Sequence, residues 1–293
     1  MFEKEKVYNE ELLLNLSKGI QLIVKREDLL HPEVSGNKFR KLKYNIAEAK
    51  RLGYSKLLTF GGAYSNHIAA TAAAGRILGL QTIGVIRGEE LKTKYKDNPT
   101  LFKAEQDGML FEFVTRTQYR EKSDLSFVNY LKQVYGDFYL VPEGGTNELA
   151  IRGTEEILKE EDKVFDYICC AAGTGGTVAG IINASTERQQ VLGFPALKGD
   201  FLFDEIRKYT NRTNWDLILD YHFGGYGKVT QELIDFLLNI EKKTGVLFDP
   251  IYNGKMLFGV LKMIEQDKFP ENSKILLIHS GGLQGWNDII KGE

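Results

Sequence analysis

Three short segments of this chain carry residue types that could do chemistry together. The first is Ala171-Ala172-Gly173-Thr174-Gly175-Gly176-Thr177, set between an apolar strand-like run and a helix-like one. Small residues let backbone N–H groups converge on one point. The helix that follows adds partial positive charge there, and Thr174 and Thr177 offer hydroxyls. That is phosphate-binding chemistry. The segment lacks the GK[ST] ending of a P-loop, and its glycine spacing is not that of the dinucleotide fingerprint. Taken alone, it is equally a tight strand–helix turn. The second segment is Ser35-Gly36-Asn37-Lys38-Phe39-Arg40-Lys41. Ser or Asn ahead of a helix is ordinary capping. A lysine at a helix start is disfavoured by the dipole. An imine between Lys38 and an aldehyde cofactor would give it a reason to be there; a solvated surface lysine is the plain alternative. In the third segment, Gly61-Gly62-Ala63-Tyr64-Ser65-Asn66-His67, Ser65, Asn66 and exposed N–H groups suit a carboxylate, or simply cap the next helix.

These segments need elements to position them. Apolar runs alternate with helix-like stretches along the whole chain. Strands are expected at 20–25, 56–60, 82–86, 110–114, 138–141, 167–172, 190–194 and 274–279. Helices are expected at 38–52, 66–78, 101–107, 118–135, 147–160, 177–187, 231–244 and 254–265. Strands that are apolar on both faces imply a mostly parallel sheet covered by helices, an α/β class whose ligands sit at the carboxyl ends of strands. The glycine clusters at 61–62, 173–176, 224–225 and 281–282 fall at such ends. At 293 residues the chain is long enough for one large or two modest domains. A net charge of −2 gives no general pull toward nucleic acid or an anionic membrane. The charged start, Met1-Phe2-Glu3-Lys4-Glu5-Lys6, does not read as a signal peptide, and no apolar run is long enough to span a membrane. Cys169 and Cys170 are neighbours on a strand, face opposite ways and read as core residues of a cytoplasmic protein. No metal-ligand spacing is present among the histidines and cysteines.

The combination resembles the tryptophan-synthase-like pyridoxal phosphate enzymes, and more closely the 1-aminocyclopropane-1-carboxylate deaminase and D-cysteine desulfhydrase family. Three signatures carry it, in the right order. They are Lys25-Arg26-Glu27-Asp28 with Gly36-Asn37-Lys38 and Arg40-Lys41-Leu42, then Ser65-Asn66-His67, then Asp249-Pro250-Ile251-Tyr252 with Gly254-Lys255. The resemblance runs over nearly the whole chain, to His279-Ser280-Gly281-Gly282. It implies two three-layer α/β/α domains with pyridoxal 5'-phosphate between them: a smaller one over 43–148 and a larger one from 1–42 plus 149–293. It also implies a homodimer and a small amino-acid substrate. Lys38 would bind the cofactor as a Schiff base and later move the substrate's α-proton. Lys41, Thr174, Gly175, Gly176 and Thr177 would hold the phosphate, and Asn66 the ring hydroxyl. Ser65, Asn66 and His67 would receive the substrate carboxylate. Tyr226 and Tyr252 would flank the substrate, able to tune proton transfer if a pKa were lowered.

Departures from the pattern bear on the substrate. Asn253 stands where the deaminases carry a glutamate facing the pyridine nitrogen. A neutral amide cannot stabilise a ring proton by charge, which weakens the electron sink. That favours α,β-elimination, in which a leaving group departs early, over opening of a cyclopropane. His67 points the same way, since the deaminases typically carry glutamine there. Tyr64 stands where relatives often have glutamine and could reshape the pocket. The expected activity is D-cysteine-type β-elimination giving pyruvate, sulfide and ammonia. The alternatives are 1-aminocyclopropane-1-carboxylate deamination to 2-oxobutanoate and ammonia, a racemase on the same fold, and a non-catalytic phosphate-binding module using residues 173–177.

Overall fold

A computed structural model describes residues 7–34 and 36–286; Ser35, one of the expected capping residues, lies outside them. The strands are β1 (Asn9–Glu11), β2 (Gln21–Lys25), β3 (Lys56–Gly61), β4 (Gln81–Arg87), β5 (Met109–Val114), β6 (Tyr139–Leu140), β7 (Tyr167–Ala172), β8 (Gln190–Pro195), β9 (Trp215–Leu217) and β10 (Lys274–Ile278). The α-helices are α1 (Asn37–Arg51), α2 (Asn66–Leu78), α3 (Pro99–Gln106), α4 (Arg116–Arg120), α5 (Leu125–Tyr135), α6 (Glu148–Glu155), α7 (Gly176–Ala184), α8 (Leu202–Arg207), α9 (Gln231–Thr244) and α10 (Asn253–Glu265).

The strands form two sheets. One has the order β1-β2-β10-β7-β8-β9, with only β1 antiparallel. The other has the order β5-β4-β3-β6 and is parallel throughout. The α/β class with mostly parallel sheets is therefore as expected. The physical reason is visible in β7 and β10, whose side chains are buried on both faces. Cys169, Ala171, Ile275 and Leu277 pack into one hydrophobic cluster, and Cys170, Ala172, Leu276 and Ile278 into another on the opposite side. The two thiols thus face apart. Burial pushes Cys170 up to about 12 and Cys169 up as well, so both are inert core residues.

Some expected elements differ. The helix expected over 118–135 is two, α4 and α5, because the polar run Glu121-Lys122-Ser123-Asp124 has no apolar face to bury. The helix expected over 147–160 ends at Glu155; a short 3₁₀ turn, Glu160–Val164, then brings Asp162 to Lys25 at 2.7 Å, with both side chains buried. β1, β9 and α8 are too short to show a period in sequence. No helix among the described residues is long and apolar enough to cross a membrane.

Candidate active site

Residues from both sheets line a cavity of about 840 Å³. The loops after β3, β7 and β10 meet there with the first turns of α1 and α2. Of the residues singled out in the sequence, Lys38, Lys41, Ser65, Asn66, His67, Thr174, Gly175, Thr177, Tyr226 and Tyr252 all reach its wall. Gly176 and Asn253 lie just behind it, outside the lining.

The start of α1, which carries Lys38, is held by backbone rather than by a side-chain cap. Gly36 occupies the cap position at φ 58°, and a β-carbon there would stand 1.9 Å from the Ser280 carbonyl oxygen, so only glycine fits. The Asn37 N–H donates to that carbonyl at 3.2 Å, and the Asn37 amide donates to Thr177 Oγ1 at 2.8 Å. One turn on, Arg40 makes a two-pronged pair with Glu27, Nε to Oε2 at 2.9 Å and Nη2 to Oε1 at 2.8 Å, both side chains fully buried. Lys25 pairs with Asp162, and Arg26 with Glu10 and Asp28. The Lys25-Arg26-Glu27-Asp28 signature therefore braces the helix and touches no part of the cavity. Breaking such a buried pair by removing one partner costs about 3–5 kcal/mol.

Lys41 shows what the site is built to hold. It is buried, yet makes no ion pair among the described residues. Its ammonium donates to Gly144 O and Thr146 Oγ1, each at 3.0 Å, and lies 3.5 Å from Thr174 Oγ1. Burial, reinforced by the charge of Lys38, holds its pKa well below the usual lysine value. A β-carbon on Gly176 would stand 2.8 Å from the Thr146 side chain and 3.1 Å from Lys41 Nζ, so the glycine makes room for the cation. An unpaired buried cation among threonine hydroxyls, at the N-terminus of α7, is a seat for an anion. The residues fit the phosphate of pyridoxal phosphate.

Lys38 opens onto the same cavity. Its only polar contact among the described residues is a long one, 3.4 Å to Gly144 O, and loss of hydration lowers its pKa to about 8. A lysine in that range is a workable nucleophile and base near neutrality.

Ser65 caps α2, accepting from the Ile68 N–H at 3.3 Å while keeping its own hydrogen to donate. Asn66 lies beside it, packed on Gly282. His67 is buried. Thr59 Oγ1 donates to Val141 O at 2.8 Å, so it accepts from His67 Nε2, also at 2.8 Å. Nδ1 then carries a lone pair with no partner among the described residues. Burial, with Lys38 and Lys41 close by, holds His67 well below the usual histidine pKa. The ring is thus a neutral acceptor, and the N–H groups of α2, not the imidazole, suit a carboxylate.

Tyr252 and Tyr226 stand with ring centroids 6.0 Å apart. Burial, then the neighbouring Tyr226, raises the Tyr252 pKa well above 10, the reverse of the lowering that would make it a base. Asn253 spends its whole amide inside the wall. Nδ2 donates to Asp249 Oδ2 and to Gly281 O at 2.8 Å, and Oδ1 accepts from Ser280 N at 3.1 Å and Ser280 Oγ at 3.0 Å. Ser280 is what the cavity meets at that place.

Sequence reasoning missed Thr146, Gly144 and the parts played by Ser280 and Lys255. Glu143-Gly144-Gly145-Thr146 did carry a signal, a glycine turn after a strand. Lys255 stood in the third signature without a role: its buried ammonium donates to the carbonyls of His222 at 3.0 Å and Gly225 at 2.9 Å, fastening the loop that bears Tyr226.

Comparison with known proteins agrees with this geometry. The sequence pattern of the family described as pyridoxal-phosphate dependent enzyme matches residues 11–281. A putative 1-aminocyclopropane-1-carboxylate deaminase of Pyrococcus furiosus is 30% identical over 94% of this chain and 89% of its own length. The bifunctional D-cysteine desulfhydrase/1-aminocyclopropane-1-carboxylate deaminase of Arabidopsis thaliana, a mitochondrial protein, is 32% identical over 95% of this chain and 76% of its own. A solved structure of an ACC deaminase homologue superposes with a TM-score of 0.83 at 27% identity, covering 99% of this chain and 94% of that one.

Proposed function

The chain belongs to the pyridoxal-phosphate-dependent enzymes, in the family of 1-aminocyclopropane-1-carboxylate deaminases and D-cysteine desulfhydrases, and from that premise we propose that it cleaves D-cysteine by β-elimination, with water, to pyruvate, sulfide and ammonia. The observation that carries this reading is Asn253. Its amide is tied to Asp249 and Ser280, so the wall presents a neutral hydroxyl where the deaminases carry a carboxylate. Neither group has charge with which to hold a proton on a pyridine nitrogen. A weaker electron sink suits a reaction whose leaving group takes the electron pair away.

Bound pyridoxal phosphate supplies an aldehyde that captures an amine and a ring that takes up the charge of a carbanion. The residues of the chain supply position and protons. Lys41, Thr146, Thr174 and Thr177, with the backbone N–H groups of the loop after β7, bind the phosphate. The Lys38 amine takes the α-proton. Ser65, Asn66 and the first N–H groups of α2 hold the substrate carboxylate. Tyr252, kept protonated, gives its hydrogen to the departing sulfur, and Tyr226 covers it from solvent. The separation of the two sheets supports a smaller domain over 43–148 and a larger one from 1–42 plus 149–293. The resemblance alone supports a homodimer, and the free, buried Cys169 and Cys170 are what support a cytoplasmic location.

The test measures sulfide from D-cysteine beside 2-oxobutanoate from 1-aminocyclopropane-1-carboxylate with the cofactor-loaded enzyme. The expected kcat/KM favours D-cysteine by at least about tenfold, about 1.4 kcal/mol. Release of 2-oxobutanoate without sulfide would overturn the reading.

A further inference from the structure

Beside the main cavity lies a second hollow of about 500 Å³. Gly62, Arg87, Lys122, Glu143 and Tyr226 belong to both walls, so the two spaces join at the mouth. The hollow has four cations, Arg87, Arg116, Arg120 and Lys122, against two carboxylates, Glu90 and Glu143. Both carboxylates are engaged. Glu90 pairs with Arg116 at 2.8 Å; Glu143 pairs with Lys122 at 3.3 Å and accepts from the Tyr119 hydroxyl at 2.7 Å. Arg87 and Arg120 are left with no ion pair among the described residues.

Arg87 is the better placed of the two. It ends β4, and the carboxyl ends of parallel strands are where ligands bind. Its guanidinium carbon stands 5.7 Å from the centre of the Tyr119 ring, which steadies its plane. Nη2 lies 3.6 Å from where a β-carbon on Gly62 would be. Gly62 is in the turn that leads to Ser65, so two anion-binding features stand on either side of a glycine that puts no side chain between them. One is the N-terminus of α2, for a substrate α-carboxylate. The other is a planar fork of N–H donors whose charge is matched by no ion pair among the described residues.

We propose that this hollow is an anion subsite of the active site, in which Arg87, backed by Arg120, receives an acidic group on the substrate's side chain. The chemical class is an amino acid bearing a phosphate, sulfonate or carboxylate beyond its β-carbon. The inference rests on the elimination reading above and narrows it, because the favoured leaving group becomes an oxyanion and D-cysteine a small member of the class. With O-phosphoserine as the probe, the α-proton passes to the protein, the Cβ–O bond breaks and phosphate leaves with the electron pair. One water then converts the released 2-aminoacrylate to pyruvate and ammonium.

The experiment compares D- and L-O-phosphoserine with the matching O-acetylserines, whose side chain is neutral, and includes D-cysteine. Pyruvate and phosphate report turnover, and calorimetric titration of the holoenzyme with O-phosphoserine reports binding. For the accepted enantiomer the phospho-ester is expected to exceed the acetyl ester in kcat/KM by at least about tenfold, the scale of one charge-assisted hydrogen bond. Arg87→Met should erase that ratio and the calorimetric signal together. Arg120→Met, outside the main cavity, should lower the ratio by about threefold, the scale of a rim charge. A wild-type preference for the acetyl ester, or a ratio indifferent to both substitutions while D-cysteine is still cleaved, overturns this inference alone. If no amino acid yields pyruvate, the elimination reading falls and takes this inference with it.

Discussion

The two ends of the cavity are built on opposite plans. At the phosphate end, Lys41, Thr146, Thr174 and Gly144 interlock through contacts of 2.6–3.5 Å, and Asn37 ties Thr177 to the helix that carries Lys38. At the mouth, Tyr226 sits on a loop with φ of 54° at Phe223, 94° at Gly224, 120° at Gly225 and 69° at Gly227. That loop is fastened by Lys255 and reaches across through the Tyr226 ring, packed on Tyr252, and the Tyr226 hydroxyl, 3.5 Å from the Tyr64 carbonyl. The anchoring end is over-determined, so it selects one cofactor. The mouth is closed by a glycine-rich loop, so the choice of substrate can change there without disturbing the anchor.

Substitutions can break or sharpen that contrast. The largest effect belongs to Lys38→Ala, which should abolish the cofactor's visible absorption band and lower turnover by about 10³-fold or more; a band that survives would break the assignment. The apo protein tests the same lysine by pH. Between about 8, the folded value for Lys38, and about 10.4, the unfolded one, the unfolded chain binds the proton that the folded chain has released, so stability rises with pH through that window. Melting curves of apo Lys38→Met should show a flatter rise.

Lys41→Met comes next. Cofactor affinity is expected to fall by about 100-fold, as for loss of one partner of a buried charge pair. The apo protein, relieved of a buried unpaired ammonium, should melt higher. Equal losses of affinity and apo stability would mean that Lys41 is merely structural.

Asn253→Asp sets a second carboxylate against Asp249, whose own pKa burial already raises. Denaturation at about pH 8 should show a loss of about 3–5 kcal/mol, shrinking toward about pH 5 as one carboxyl of the pair takes a proton. A pH-independent loss would point to packing instead. The smallest effect is at the mouth. Lys255→Met should raise KM by about fivefold through a loosened Tyr226 loop and leave the cofactor band intact. Loss of the band would tie the two ends together and remove the contrast.

How much was legible follows from the range of each interaction. The alternation of apolar runs, the glycine loops after strands and the Lys38, Ser65 and Thr174 segments are local patterns, and period and spacing along the chain were enough to place them. The cofactor followed from the family resemblance that their combination carries. Tertiary structure decided the rest, because the deciding contacts join residues far apart in sequence. Lys41 meets Gly144 and Thr146 across more than a hundred positions, and Ser280 screens Asn253 from across twenty-seven. The state of His67 depends on a hydroxyl bond from Thr59 to Val141 that no neighbouring residue foretells. Arg87 lay just past the strand expected at 82–86; only the fold set it beside Gly62 with no ion pair among the described residues. Chemistry carried by a segment's own backbone is written in that segment, whereas the charge state and reach of a side chain depend on its surroundings, which exist only once the chain has folded.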